Sequence, residues 1–198
     1  MKHLLKQKIA RGFTLIETLI AVLILTTAVA GPLTIASKGL TATLVAKDQI
    51  SAFYLAQDAV EYVHFLRDSA CLAAGPQPSG GCPVGTWLSG LVNCTSADGS
   101  KSCYFDSLEH NPQLPATCVT GCPVMQYDGS SHSFNYNPDT ANAPFTPQRY
   151  VRTVTMQNDP TGVATPIDEA ILTVTMTWSD MGGITHTAVV RENLFRWQ

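Results

Sequence analysis

The longest hydrophobic stretch of the sequence lies near its N-terminus. Between Phe13 and Ala36 the only charged side chain is that of Glu17. A helix of this length rises about 36 Å, and the apolar core of a bilayer is about 30 Å thick. The pattern therefore predicts one membrane-spanning helix over residues 13–36.

A helical pattern continues beyond this stretch. Residues 37–69 contain no proline, and small or apolar residues recur at intervals of three and four: Ala52, Leu55, Ala59, Val63 and Leu66. Such spacing is typical of one face of an amphipathic helix. We expect a single helix from about Phe13 to Asp68. A kink or a loosened turn is expected at Pro32, because proline lacks an N–H group and its ring crowds the preceding turn.

Residues 149–198 show a period of two. Apolar residues alternate with threonines in the order Leu172, Val174, Met176 and Trp178, which predicts a strand with one buried face. After a turn at 179–183, a returning strand is expected to direct three side chains toward the core: Ile184, Ala188 and Val190. Residues 150–156 supply a third strand. Three to four antiparallel strands packed on the second half of the helix give an α+β fold.

All six cysteines lie between these two patterned regions, in a segment over residues 71–148 that is rich in proline and glycine. An even number of cysteines in a loop-rich segment predicts a disulfide framework, provided that the segment reaches an oxidising compartment. The sequence alone leaves the pairing open among Cys71, Cys82, Cys94, Cys103, Cys118 and Cys122.

The distribution of charge predicts the orientation of the chain in a membrane. Four basic residues lie within the twelve positions that precede the apolar stretch: Lys2, Lys6, Lys8 and Arg11. The positive-inside bias keeps residues 1–12 in the cytoplasm and exports everything after residue 36, so the cysteines meet an oxidising compartment. The formal net charge is −3 with these four cations included. The exported part is therefore more acidic, and it makes a poor general surface for nucleic acid.

Three interpretations of the N-terminal segment are open: a secretory signal cut after Ala30, a plain signal anchor, and a leader that ends before the apolar stretch. Residues 28–30 form an acceptable small-x-small signal peptidase site. Glu17 favours the third interpretation. A carboxylate at the bilayer centre costs about 2.5–3.5 kcal/mol to insert, and a discarded signal gains nothing from it.

The segment Arg11–Glu17, with the sequence RGFTLIE, resembles the prepilin processing motif of type IV pilins and type II secretion pseudopilins. The resemblance implies that prepilin peptidase cleaves between Gly12 and Phe13 and methylates the new amine of Phe13. It also implies that Glu17 pairs with this amine on a neighbouring subunit, which offsets the cost of removing the carboxylate from water.

The expected organisation combines these patterns with the resemblance. It comprises a leader (1–12), a membrane-spanning and filament-core half of the helix (13–36), an amphipathic half (37–69) and a globular head (70–198). The head contains a cysteine-rich variable region (71–148) and an antiparallel sheet (149–198). No cysteine follows Cys122, so strand pairing must hold the C-terminus. This departs from many major pilins and resembles the minor pilins known as type IV pilus modification proteins.

Other candidate chemistry is weak. No catalytic motif is present, so an enzyme is not predicted. Glu61 and His64 have the spacing of half a di-iron site, but no second copy exists. Zinc binding by Cys118 and Cys122 with His110 and His132 is disfavoured, because four further cysteines in the same exported region favour disulfides. We therefore expect no metal and no cofactor.

The basic residues of the head gather near its predicted strands, at Arg149, Arg152, Arg191 and Arg196. A nucleic-acid-binding patch is one interpretation of them, and ordinary solvated strand edges are the favoured one.

The sequence thus predicts a structural subunit, a minor pilin of a type IV pilus-like filament. Its partners are prepilin peptidase, other pilin subunits and the membrane. It spans the inner membrane once with its N-terminus inside, and later joins a periplasmic or extracellular filament. One alternative is a minor pseudopilin of a type II secretion system. A less favoured alternative is a secreted, disulfide-rich binding protein that begins at Gly31.

Overall fold

In a computed structural model of the chain, the structure describes residues 12–75, 81–83, 85–107, 114–128, 133–136, 146–158, 168–180 and 182–196. The chain divides into an N-terminal unit, Met1–Ala46, and a C-terminal unit, Lys47–Gln198. The leader residues 1–11 and the two histidines considered as zinc ligands, His110 and His132, lie outside the described residues.

A single helix, α1, runs from Leu15 to Ala73. This confirms the predicted long helix and extends it past Asp68. The backbone stays α-helical through Pro32, so the expected loosened turn does not form there. Proline removes only one N–H donor, and the turns on either side keep theirs. Every residue from Gly12 to Leu44 is exposed.

Within the described residues, eight strands form one sheet. Three are long: β6 (Thr146–Gln157), β7 (Glu169–Ser179) and β8 (Thr185–Phe195). Five are short and come from the cysteine-rich region: β1 (Thr95–Ser96), β2 (Ser102–Tyr104), β3 (Ala116–Thr117), β4 (Val124–Asp128) and β5 (Ser133–Asn135). The α+β fold is therefore confirmed, and the short strands enlarge the predicted sheet.

Strand β6 organises the sheet because both of its edges are used. One edge pairs antiparallel with β7, which pairs in turn with β8. The other edge pairs antiparallel with β4 and β2, and in parallel with the two residues of β1. Beyond these, β3 pairs with β2 and β5 pairs with β4. The variable region is thereby attached to the regular part of the sheet.

Burial alternates along the long strands as the two-residue period predicts. The four predicted core residues of β7 are all buried: Leu172, Val174, Met176 and Trp178. Ala188 and Val190 of β8 pack half-buried against the core. Ile184 was wrongly assigned to the core, since its side chain is 62% exposed. It precedes β8 in a tight turn, where its backbone N–H donates to Asp180 Oδ1 at 2.9 Å.

The sheet packs against the part of α1 that lies in the C-terminal unit. Small residues line this helix face, and Ala52, Ala56 and Ala59 are all fully buried. Small side chains let the helix backbone approach the sheet closely, and Val63 and Leu66 continue the contact further along the helix. The predicted amphipathic face is therefore confirmed, although its Leu55 is only partly buried.

Arg152 of β6 is only 1% exposed, because it points into the core between the sheet and α1. Its guanidinium donates to Asp58 Oδ2 at 2.8 Å and to the carbonyl of Leu55 at 3.0 Å, both on α1. It also donates to the carbonyl of Phe105 at 2.8 Å and lies over the ring of that residue. The expectation of a solvated arginine at this position was wrong, because strand parity turns Arg152 inward.

The other arginines are separate from this buried group. Arg196 contacts the carboxylate of Asp168 and donates to the carbonyl of Cys82 at 2.7 Å. Arg191 is exposed on β8, with its Nε donating to the hydroxyl of Thr173 at 3.3 Å. The side chain of Arg149 lies outside the described part of the chain. Arg152 therefore cannot contribute to a basic surface with Arg191.

Three disulfides join neighbouring cysteines in the sequence: Cys71 to Cys82, Cys94 to Cys103, and Cys118 to Cys122. The first ties the last turn of α1 to the loop that precedes β1. The second is buried and connects the start of β1 with β2. The third closes a short loop between β3 and β4, with the side chain of Val119 90% exposed.

The C-terminus is held by strand pairing, as expected from the lack of a cysteine after Cys122. Strand β8 pairs with β7 in one unbroken register, from Thr185 with Ser179 to Phe195 with Glu169. Just beyond β8, the N–H of Arg196 donates to the carbonyl of Asp168 at 2.9 Å. Arg196 therefore adds one further backbone hydrogen bond at the end of the β7–β8 ladder.

We predict that Arg152→Met lowers the free energy of unfolding by about 3 kcal/mol. The substitution keeps apolar volume, but it leaves the Asp58 carboxylate and two carbonyls without their buried donor. Urea unfolding of the full chain in detergent micelles measures the change. The monitored signal is the near-ultraviolet circular dichroism of the buried Trp87 and Trp178. The matched control is Arg191→Met on the exposed face, expected within about 0.5 kcal/mol of the parent. Equal losses in the two variants would contradict the role assigned to Arg152.

A second prediction concerns Asp180 in the turn between β7 and β8. Its Oδ2 lies 3.1 Å from His186 Nε2, and its Oδ1 accepts the N–H groups of Gly182 and Ile184. The His186 contact first, and then these backbone donors, lower the pKa of Asp180. A lowered pKa means that the carboxylate stabilises the fold above its ordinary pKa, and that this contribution is lost as pH falls through the lowered value.

Nuclear magnetic resonance titration of the Asp180 carboxyl checks this. We expect a midpoint below that of an ordinary aspartate in the full chain, and a rise toward the ordinary value in His186→Ala. An unchanged midpoint in His186→Ala would show that the histidine is not the main cause.

Candidate functional site

The first turn of α1 has a defined N-cap. Residues 12–14 are not helical, and the helix begins at Leu15. The hydroxyl of Thr14 accepts the N–H of Glu17 at 3.3 Å, and the carbonyl of Thr14 accepts the N–H groups of Glu17 at 3.1 Å and Thr18 at 3.2 Å. Thr14 is therefore the N-cap and Glu17 the third helical residue. This Thr-x-x-Glu spacing is the capping-box signature, and our sequence analysis missed it.

The backbone on either side of the Gly12–Phe13 bond is open. A Cβ added to Gly12 would meet no atom of the described chain within 4 Å, and the side chain of Phe13 is 80% exposed. Nothing in the fold of the described residues thus requires glycine at position 12. If glycine is required there, the requirement comes from another molecule that approaches this bond closely.

Glu17 differs from the other polar side chains of the apolar stretch. Hydroxyls there donate to a carbonyl three or four residues earlier in the same helix, at Thr18, Thr26, Thr27 and Thr34. The carboxylate of Glu17 receives no hydrogen bond and no ion pair from any described residue. The threonines therefore satisfy their own polarity inside the helix, whereas the Glu17 carboxylate has no such contact among the described residues.

The remainder of this stretch is an exposed apolar surface. Large apolar side chains between 49% and 82% exposed occur on every side of the helix, among them Leu15, Ile20, Leu25 and Leu33. The helix is long and apolar enough to cross a membrane, judged by length and composition. Such a surface is stable only against lipid or against other apolar helices.

A second apolar surface lies on α1 in the C-terminal unit, on the face opposite the sheet. It consists of four side chains between 50% and 82% exposed: Ile50, Tyr54, Phe65 and Leu72. Their spacing places them along one line of an α-helix. This surface is available for contact with a further apolar partner.

The alternative metal sites do not form among the described residues. His64 Nε2 lies 2.9 Å from Glu192 Oε1 on β8. The histidine considered as part of a half di-iron site therefore forms a contact between helix and sheet. Cys118 and Cys122 are joined in a disulfide and offer no thiolate. No group of three or more potential metal ligands occurs within the described ranges.

Residues 7–31 match a family model described as the prokaryotic N-terminal methylation motif. The match includes Gly12, Phe13 and Glu17, and it extends along most of the apolar stretch, to Gly31. No curated protein and no solved structure matches the chain. Together, the methylation motif, the apolar helix and the pilin-like α+β fold are consistent with a type IV pilin-like or pseudopilin-like prepilin.

Proposed function

We propose that the chain is a prepilin that is cut between Gly12 and Phe13, methylated on Phe13, and assembled through α1 as a minor subunit of a type IV pilus-like filament. The observation that carries the proposal is the Glu17 carboxylate, which has no partner among the described residues and lies within an exposed apolar helix. The matched motif belongs to a structural family and not to an enzyme family.

Electrostatics explains why assembly suits Glu17. A carboxylate near the bilayer centre costs about 2.5–3.5 kcal/mol to insert, and less near the interface. Two opposite unit charges about 4 Å apart attract by about 4 kcal/mol at an effective dielectric constant of about 20. Cleavage after Gly12 creates such a cation at Phe13, four residues from Glu17. Pairing with the amine of a neighbouring subunit therefore offsets the insertion cost.

The exposed apolar surfaces fit the same proposal in two stages. Before assembly, residues 13–36 lie in the inner membrane, with the N-terminus inside and the C-terminal unit exported. In the filament, helix-helix contacts replace lipid around this stretch. The line of Ile50, Tyr54, Phe65 and Leu72 supplies further apolar contact area between subunits.

The cysteine-rich region supports a pilin displayed on a surface. Its five short strands widen the sheet, and its third disulfide presents the exposed side chain of Val119. A minor pseudopilin of a type II secretion system is the second candidate, because the processing motif serves both classes. A secreted protein cut after Ala30 is less favoured, since that cut discards the residues that the methylation motif matches.

Mass spectrometry of the mature chain tests the processing site. We expect an N-terminal methylated Phe13, and we expect replacement of Gly12 by leucine to leave the full-length precursor. The control is Gly39→Leu, because Gly39 is also exposed with no neighbour within 4 Å; this variant is expected to be processed normally. A mature chain that begins at Gly31 would refute the proposal in favour of the secreted protein.

Glu17→Gln tests the ion pair. The amide keeps the size of the side chain but carries no charge, so we expect normal membrane insertion and leader removal with filament incorporation reduced about tenfold or more. Incorporation is measured by immunoblotting sheared filaments against the membrane fraction. Thr18→Val is the matched control, since the Thr18 hydroxyl is already bonded to the Leu15 carbonyl at 2.8 Å. Normal incorporation of Glu17→Gln would argue against the pairing.

A further inference from the structure

The scissile bond assigned above lies directly before a capped helix start. Gly12, Phe13 and Thr14 are outside α1, and the Thr14 hydroxyl accepts the N–H of Glu17 at 3.3 Å. An N-cap residue typically has non-helical backbone angles. The bond between Gly12 and Phe13 therefore precedes the point at which Thr14 stops the helix.

We propose that Thr14 is a positioning residue for leader removal: by capping α1, it keeps the Gly12–Phe13 bond out of the helix, where a peptidase can reach it. This inference rests on the proposed function, because it assumes cleavage after Gly12. It adds a role for a side chain that does not take part in the cleavage itself. Neither the charge pattern nor the apolar pattern of the sequence assigns that side chain a role.

The physical reason is a competition over where the helix starts. Residue 13 is an ordinary helix former, and the apolar stretch that follows favours helix in a membrane. Without the Thr14 cap, helix can extend over Phe13 and Gly12. A peptide bond within a helix has its backbone groups tied into the ladder and surrounded by neighbouring turns, so a protease cannot bind it in an extended form. Loss of an N-cap side chain shifts such an equilibrium about fivefold.

The same cap places Glu17. With Thr14 as N-cap, Glu17 is the third helical residue and lies in the first turn, where the positive end of the helix dipole favours a carboxylate. A shifted helix start moves Glu17 deeper along the helix. Thr14 therefore fixes two positions together, the non-helical backbone at the cut and the helical carboxylate after it.

The test uses the full-length precursor in detergent micelles with purified prepilin peptidase. Three variants separate the cap from the identity of the side chain: Thr14→Ala removes the capping oxygen, whereas Thr14→Ser and Thr14→Asn keep one. Thr18→Ala is the matched control, because it deletes the same hydroxyl one turn later. Mass spectrometry gives the rate of leader removal, and carbon chemical shifts of Phe13 and Gly12 report their helical population without any enzyme.

We expect Thr14→Ala to be cut about fivefold more slowly and to show an increased helical population at Phe13. Thr14→Ser, Thr14→Asn and Thr18→Ala should match the parent in both measurements. The inference is overturned if Thr14→Ala is cut at the parental rate, if its slower cleavage comes without added helix at Phe13, or if Thr14→Ser and Thr14→Asn are as slow as Thr14→Ala. The last result would mean that the peptidase reads the threonine side chain directly.

The parent chain separates this inference from the proposed function. If the unsubstituted precursor is cut at another bond or not at all, both are refuted. If it is cut after Gly12 while Thr14→Ala behaves like the parent, only the role of Thr14 is refuted.

Discussion

In the proposed function, the carboxylate of Glu17 is the constraint on which assembly of this chain depends. It lies in an apolar stretch whose threonine hydroxyls bond to carbonyls of the same helix, as at Thr18 and Thr26. Under the proposed function, a cation on another subunit offsets the cost of holding this carboxylate in lipid. The proposed ion pair therefore favours the filament over the membrane-held precursor.

The C-terminal unit solves the opposite problem, because it buries a charge and pairs it with a carboxylate of the same unit. Arg152 reaches from β6 to Asp58 and the Leu55 carbonyl on α1, and to the carbonyl of Phe105 beside β2. One guanidinium thereby connects the helix, the central strand and the cysteine-rich region. Charge-assisted hydrogen bonds are directional, so they fix how these elements meet more closely than alanine contacts alone can.

Sequence periodicity predicted the elements well where one face is buried. The three-to-four spacing around Ala52 and Ala59 and the alternation from Leu172 to Trp178 both correspond to buried faces. Periodicity failed where the structure depends on long-range contacts, or where a turn determines whether a side chain is buried. It could not place β1 to β5, because two- to five-residue strands carry too little pattern, and it could not choose disulfide partners. It misplaced Ile184, since the side chain continues the strand parity but sits in the turn closed by Asp180.

Two of the missed features carried a local signal that charge and hydropathy obscured. Arg152 lies two and four residues before Val154 and Met156, so the alternation itself places the arginine on the buried face of the sheet. Thr14 stands three residues before Glu17, and once Glu17 is explained by its charge, the N-cap contact of Thr14 with the N–H of Glu17 is easily overlooked. The two explanations are compatible, because the cap acts through backbone N–H groups and the proposed ion pair acts through the carboxylate. Under the proposed function, one short segment therefore defines both a cleavage point and an assembly contact with neighbouring residues.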